Sequence, residues 1–86
     1  MVLLAKTHGN SSVLFFEYTR LLVVVNRHEL FQNIITLITT GKPFIMTDKD
    51  EDTLEMMMID GTYKISINGT STLFNNEQLT KLVCTL

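Results

Sequence analysis

The chain has 86 residues, of which 45% are hydrophobic and 19% are charged, and its formal net charge is −2 at pH 7. A chain of this length has room for one hydrophobic core, so we expect a single domain over residues 1–86. Its seven basic residues form no run, which argues against nucleic-acid binding through phosphates. Because a weakly charged surface resists association poorly, the composition favours a homo-oligomer or a permanent protein partner.

The chain contains one cysteine, and it does not begin with a charged segment followed by a long apolar run. A single cysteine excludes an intramolecular disulfide and is compatible with a reducing compartment, so we expect a cytoplasmic protein without a signal peptide. The longest apolar run, residues 13–25, is interrupted by Glu17 and Arg20 and is too short to span a bilayer. The sequence therefore predicts no membrane partner.

The first 25 residues have the composition of β-strands. Residues 1–6 form a short apolar run, and residues 7–12 form a loop by their glycine, asparagine and serine content. Residues 13–25 are rich in β-branched and aromatic side chains, which predicts either one bent strand or two strands broken near Thr19 and Arg20. A helix over residues 13–18 is the alternative.

If residues 13–25 alternate along one strand, both faces of that strand are apolar. One predicted face holds Val13, Phe15, Leu21, Val23 and Val25, and the other holds Leu14, Phe16, Tyr18, Leu22 and Val24. A strand that is apolar on both faces needs a cover on both. We therefore expect the second face to be covered by a helix or by another subunit.

Residues 26–41 carry the strongest local pattern, that of an amphipathic helix. Asn26 stands at the N-cap position with Glu29 three residues later, while Gly41 and Pro43 mark the end. These signals predict a helix of about four turns that lies on a sheet. The predicted buried stripe consists of Leu30, Phe31, Ile34, Ile35, Leu37 and Ile38.

The C-terminal half has the pattern of an antiparallel meander, in which a short strand over residues 44–47 and a solvated acidic turn over residues 48–52 precede two tight hairpins. Asp60-Gly61 and Asn68-Gly69 are preferred centres of two-residue hairpin turns, so they predict the register of three strands. In that register, the residues expected on one face are Leu54, Met56, Met58, Tyr63, Ile65, Ile67, Thr72 and Phe74. A last helix begins after Asn75.

The whole order predicts an α+β fold with a mostly antiparallel sheet, one long helix and one short C-terminal helix. Met57, Ile59 and Leu73 fall on the other face of the meander and form the predicted partner or oligomer interface. The C-terminal helix either covers these three residues, joins the long helix on its face, or docks on a neighbouring subunit.

No set of residues carries a catalytic, cofactor or metal signature. Asp48, Asp50 and Asp52 have the spacing that opens a calcium loop, but Thr53 and Ile59 stand where that loop needs glycine and glutamate. We expect His28 to lie on the surface at a helix start and Cys84 to be a small buried apolar residue. An enzyme is therefore not indicated.

Two functional hypotheses follow. The first is a small non-catalytic interaction module that self-associates and binds or inhibits another macromolecule, a size class that includes inhibitors and adaptors carried by phages. The second is a small-ligand-binding domain whose pocket forms at a subunit interface, where backbone and polar side chains supply hydrogen bonds. The residues expected in that pocket are His8, Gly9, Asn10, Thr40, Gly41 and Lys42.

Overall fold

A computed structural model describes residues 2–86, so Met1, the start of the predicted first strand, lies outside the described residues. The chain forms seven strands and two helices. In chain order these are β1 (Leu3–His8), β2 (Ser11–Phe16), β3 (Leu22–Asn26), α1 (Arg27–Thr40), β4 (Phe44–Thr47), β5 (Thr53–Ile59), β6 (Thr62–Ile67), β7 (Thr70–Phe74) and α2 (Asn76–Cys84).

The strands form two antiparallel sheets, which confirms the α+β prediction. The N-terminal sheet has the order β1-β2-β3, and the C-terminal sheet has the order β4-β5-β6-β7. Helix α1 contacts β2, β3 and β5, and α2 contacts β6 and β7. We call the face of each sheet that carries the buried core residues its inner face and the opposite face its outer face.

The C-terminal sheet has the register that its two glycine turns predict. Ile59 pairs with Thr62 across the first turn, and Ile67 pairs with Thr70 across the second. Gly61 and Gly69 have φ values of 79° and 87°, which side chains with a Cβ rarely adopt. Because the pairing is correct, the predicted face is the inner face, and its central members are fully buried.

Residues 13–25 are two strands rather than one, and the predicted distribution of their side chains over two faces is wrong. The chain reverses between Phe16 and Leu22, and β2 pairs with β3 in a register that sets Leu14 opposite Val23. Residues that pair across two strands share a face, so the even-numbered residues of β2 lie on the same face as the odd-numbered residues of β3. The inner face holds Leu14, Phe16, Val23 and Val25, and the outer face holds Val13, Phe15, Leu22 and Val24. Tyr18 lies in the turn.

Helix α1 begins and ends where the sequence predicts. The Asn26 side chain accepts a hydrogen bond from the Glu29 backbone N–H at 2.9 Å, and Gly41 closes the helix at φ 74°. Only half of the predicted apolar stripe is buried, because Leu30, Ile34 and Leu37 enter the core. Each of these side chains contributes about 2 kcal/mol of burial free energy. The other half, Phe31, Ile35 and Ile38, is exposed along one flank of the helix.

Helix α2 packs on the inner side of the molecule, which decides among its three predicted positions. Its N-terminus has a complete capping box between Asn75 and Gln78. Leu79 and Leu82 join the same core as α1. The helix therefore shares the inner side with α1 and does not cover the outer face of the C-terminal sheet.

The two sheets meet at β3 and β4, which contact each other but do not form a hydrogen-bonded ladder. One side chain bridges this break, because the Val24 backbone N–H donates to Asp48 Oδ2 at 3.1 Å. The hydrophobic core is a single cluster that includes residues from both sheets and both helices. Its buried members are Leu3, Leu14, Phe16, Val23, Val25, Leu30, Ile34, Leu37, Leu54, Met56, Tyr63, Ile65, Ile67, Leu79 and Leu82.

Candidate interaction surfaces

The predicted interface residues lie on the outer face of the C-terminal sheet. Leu73 is 60% exposed, Ile59 is 40% exposed and Met57 is half-buried. Met57 pairs with Lys64, and Lys64 pairs with Leu73, so the lysine stands between the two apolar residues. The structure therefore brings the three residues onto one face but interrupts them with a charge.

Ile45 on β4 belongs to the same outer face but is not among the predicted interface residues. Its side chain is 63% exposed, and it pairs with Glu55 on β5. A shallow cavity of about 360 Å³ lies beside Ile45 and Met57, and it is lined by Pro43, Phe44, Ile45, Glu55 and Met57. The signal in the sequence was the alternation of β4, which sends Phe44 inward and Ile45 outward.

The outer face of the N-terminal sheet is apolar over two adjacent rows. In the first row, Leu4 pairs with Phe15 and Phe15 pairs with Leu22. In the second, Val13 stands between Lys6 and Val24. The Lys6 ammonium lies 6.0 Å from the centre of the Phe15 ring, which is cation–π distance. This face has one charge at its edge, whereas the C-terminal outer face has Glu55 and Lys64 within it.

Neither helix packs over this face of the N-terminal sheet. The buried residues of α1 and α2 join the inner core, and Leu4, Leu22 and Val24 each expose more than a third of their surface. The sequence predicted that residues 13–25 carry a second apolar face in need of a cover. Within residues 2–86 that face has none.

Tyr18 is the most exposed large hydrophobic residue within residues 2–86, and it lies in the turn between β2 and β3. It is 97% exposed, and its backbone has φ 63°, a left-handed conformation that aromatic residues rarely adopt. Thr19 holds the turn, because its hydroxyl donates to the Phe16 carbonyl at 2.7 Å and accepts from the Leu21 N–H at 3.0 Å. No pattern in the sequence indicated this exposure, since Tyr18 was expected on a strand face.

The two loops of the ligand-binding hypothesis lie at opposite ends of α1. The Asn10 carbonyl accepts from the Arg27 N–H at 2.8 Å, which places residues 8–10 at the start of the helix. Thr40, Gly41 and Lys42 follow its last turn. Fourteen helical residues span about 21 Å. A pocket built from both loops therefore needs two subunits, and it stays a prediction that depends on self-association.

Each of the two loops is exposed when it is considered separately, and the polar groups of Thr40 and Lys42 are engaged in local hydrogen bonds. Asn10 lines a cavity of about 450 Å³ with Val24 and residues of the acidic turn. The Thr40 hydroxyl donates to the Thr36 carbonyl at 2.7 Å, and it accepts from the Lys42 N–H at 3.3 Å. His8 and Gly9 are exposed at the first hairpin turn.

The acidic turn is organised around one carboxylate. Carboxylate oxygens of Asp48, Asp50 and Asp52 lie within 4.8 Å of one another. Asp48 Oδ1 accepts from the backbone N–H groups of Asp50 and Asp52, each at 2.9 Å, and Oδ2 accepts from Val24. These bonds engage both oxygens, so the carboxylate joins the turn to β3.

The surroundings of Asp48 act on its pKa in opposite directions. Burial raises the pKa, while the backbone hydrogen bonds from Val24, Asp52 and Asp50 and the nearby charge of Lys49 lower it. The lowering effects prevail, so the pKa lies below its ordinary value of 3.8. Asp48 is therefore ionised at neutral pH, which is the form that accepts all three bonds.

The remaining singled-out residues lie on the surface. His28 is exposed at the start of α1, as predicted. Cys84 is exposed, so the expectation that it is buried is wrong. The reason is helical phase: Leu82 is buried, and a residue two positions later lies about 200° around the helix.

No helix within residues 2–86 is long and apolar enough to cross a membrane. No protein-family model, curated protein or solved structure matches this chain.

Proposed function

We propose that this chain is a small non-catalytic interaction module that self-associates through the outer face of its N-terminal sheet and binds or inhibits another macromolecule. The observation that carries the proposal is the row of Leu4, Phe15 and Leu22, which crosses all three strands of that sheet without a polar residue. Removing such apolar surface from water contributes about 25 cal/mol per Å².

A second copy of the chain is the occupant that this face fits best. Because this face carries few charges, it cannot select a partner by charge. In a two-fold dimer the same apolar face of each copy would pack against that of the other. The net charge of −2 adds only weak repulsion between copies. Lys6 stands at the edge of the face, where its ammonium reaches solvent when the apolar rows are covered.

The outer face of the C-terminal sheet is the surface that we assign to the other macromolecule. Its apolar residues Ile45, Met57, Ile59 and Leu73 surround one acid and one base, Glu55 and Lys64. Interspersed charges give an interface specificity, because a wrong partner leaves them unpaired. The expected partner surface is apolar at its centre and carries a base and an acid opposite these two residues.

Native mass spectrometry of three proteins tests the assignment. Leu22→Lys places a charge at the β3 end of the apolar row, while Leu73→Lys makes the same change on the other outer face. Both positions are exposed, so both variants are expected to keep the far-UV circular dichroism of the unmodified protein. We expect the unmodified protein and Leu73→Lys to be dimers or larger species and Leu22→Lys to be a monomer.

Two outcomes contradict the proposal. An unmodified protein that is monomeric at high micromolar concentration eliminates self-association. Dissociation by Leu73→Lys or Ile59→Lys, with Leu22→Lys still associated, moves the oligomer interface to the C-terminal sheet. A small molecule retained in the native spectrum would instead support the pocket predicted at His8, Gly9, Asn10, Thr40, Gly41 and Lys42.

A further inference from the structure

A groove separates the two sheets on the side away from the β3–β4 junction. Its volume is about 420 Å³, which is within the range of protein ligand sites. One wall is the start of β1, and the other is the end of β7. Helix α2 contributes Gln78, Lys81 and Leu82. Its C-cap residue Thr85 also lines the groove, and the Thr7 hydroxyl donates to the Thr85 carbonyl at 3.1 Å. The helix therefore joins the two walls.

Both walls are free strand edges. β1 is the first strand of the N-terminal sheet and β7 is the last strand of the C-terminal sheet, so each has a neighbour on one side only. Unpaired N–H and C=O groups along a strand edge are a template for another strand. The groove thus brings a free edge of each sheet together, at the end of the molecule opposite the β3–β4 junction.

The hydrogen-bond pattern shows which backbone groups of β1 point into the groove. The Val2 carbonyl accepts from the Glu17 N–H at 2.8 Å, so Val2 points toward the β2 side. The direction of the backbone N–H and C=O groups alternates from residue to residue along an antiparallel strand. The N–H and C=O groups of Leu3 and Ala5 therefore point away from β2. No hydrogen bond among residues 2–86 reaches their outward groups, because β1 pairs only with β2.

The same reasoning applies to β7. Ile67 and Thr70 flank a two-residue turn and exchange hydrogen bonds, so Thr72 and Phe74 also bond to β6. Leu73 lies between them, and its N–H and C=O point away from β6. The outward groups of Leu3, Ala5 and Leu73 therefore stand on opposite walls of one groove.

We propose that this groove binds an extended peptide segment of another protein, which adds a strand between β1 and β7. Donors and acceptors that alternate on both walls match the two edges of a single strand, and a globular apolar ligand leaves them unpaired. The four residues from Val2 to Ala5 line one wall, and four residues of strand span about 13 Å. The expected segment is short and carries apolar side chains at alternate positions, where they face Leu3, Phe74 and Leu82.

The backbone groups assigned to the peptide belong to Leu3, Ala5 and Leu73, whereas Leu22 lies on β3, at the opposite edge of the N-terminal sheet from β1. Leu4 lines the groove and also belongs to the self-association row, so the variant that separates the two sites is the one at Leu22. The monomeric variant Leu22→Lys is therefore expected to bind the peptide as the unmodified protein does. Equal binding by the two proteins separates failure of the proposed function from failure of this inference.

The probe is a heptapeptide of alternating threonine and valine with blocked termini, titrated into ¹⁵N-labelled protein. We expect saturable shifts of the Leu3, Ala5 and Leu73 amide signals. At a peptide concentration about ten times the dissociation constant, hydrogen exchange at these amides slows about tenfold, because only the free protein exchanges. The same peptide N-methylated at every second amide lacks the donors of one edge, and we expect it to lose these effects.

Variants of the protein supply a second test. Ala5→Pro removes the outward N–H of residue 5 and leaves the β1–β2 ladder intact, since Ala5 faces Leu14 at a position without hydrogen bonds. We expect it to abolish peptide binding, while the matched control Ala5→Ser keeps the N–H and the binding. Leu73→Pro makes the corresponding change on the other wall, with Leu73→Thr as its control.

Five results overturn the inference, and the first four concern the peptide, the variants and the free protein. They are the absence of saturable shifts up to about 1 mM peptide, equal binding of the N-methylated peptide, normal binding by a folded proline variant, and amides of Leu3, Ala5 and Leu73 that are already protected in the dilute free protein. Protection that rises with protein concentration alone also overturns it, because the occupant is then a second copy. If both proline variants unfold, the N-methylated peptide on the unmodified protein decides.

Discussion

The β5–β6 and β6–β7 hairpins reverse the chain by different chemistry from the β2–β3 turn. The hairpins of the C-terminal sheet turn at Asp60-Gly61 and Asn68-Gly69, where glycine takes the positive φ that a tight turn needs. The β2–β3 reversal of the N-terminal sheet contains neither glycine nor proline. Its positive φ falls on Tyr18, and the hydroxyl of Thr19 supplies two of the hydrogen bonds that hold it.

This difference explains why the faces of β5, β6 and β7 were predicted correctly and those of β2 and β3 were not. A glycine turn of two residues determines which residues pair, and pairing determines the face. A turn held by side-chain hydrogen bonds has no such signature, so alternation was carried through residues 17–21 as if the strand continued. Side chains on β2 and β3 were consequently combined into the wrong sets.

The largest effect is expected from testing the corrected faces of the N-terminal sheet. Leu14 is fully buried and Val13 is on the outer face, so Leu14→Ala should lower the free energy of unfolding by about 3–4 kcal/mol and Val13→Ala by about 1 kcal/mol. Urea denaturation measures both. Equal losses at the two positions would mean that both faces of β2 are core.

The same pair of changes in the C-terminal sheet is the control for this comparison. Met56 is fully buried on the inner face, and its neighbour Met57 is half-buried on the outer face. Met56→Ala should cost about 2–4 kcal/mol and Met57→Ala clearly less. Similar differences in both sheets would show that each sheet buries its inner face and leaves its outer face largely exposed.

The next effect concerns the junction between the sheets. Asp48→Ala removes three backbone hydrogen bonds, one of which reaches β3, and should lower the free energy of unfolding by about 2–3 kcal/mol. Asp50→Ala is the matched control, because its exposed side chain makes no hydrogen bond with any residue from 2 to 86. A loss as large at Asp50 would assign the effect to the charge of the turn and not to the bridge.

The Asp48 bridge also predicts a dependence on pH. Folding lowers the pKa of this carboxyl below 3.8, so its contribution to stability is complete above that value and is lost as the pH falls through the lower folded pKa. The stability difference between the unmodified protein and Asp48→Asn should therefore shrink on acidification below about pH 4. A difference that stays constant from pH 7 to pH 2 contradicts this linkage.

The smallest effects are expected in the β2–β3 turn, and they have opposite signs. Tyr18→Gly relieves a left-handed backbone at a side chain that is almost fully exposed, and it should raise stability by about 0.5–1 kcal/mol after the entropy of glycine is deducted. Thr19→Ala removes two hydrogen bonds and should lower stability by about 1 kcal/mol. Thermal unfolding of the two variants measures the difference. A destabilised Tyr18→Gly would indicate that the side chain makes contacts in solution.

The candidate surfaces divide in the same way as the fold. Met57, Ile59 and Leu73 were placed on one outer face because the register of their sheet was known from its turns. The row of Leu4, Phe15 and Leu22 was not predicted, since its members come from three strands and the pairing of β2 with β3 has no local signal. The groove between β1 and β7 joins elements almost at the two ends of the chain.

The sequence by itself determined the features that act over one or two turns of chain. The caps of α1, the capping box of α2 and the register of the glycine hairpins all depend on residues close to one another, so their signals are local. Tertiary structure decided which half of the α1 stripe is buried, because only packing against both sheets selects among apolar residues of similar size. It also decided the break bridged by Asp48 and the groove between the free edges, since both exist only when distant strands meet.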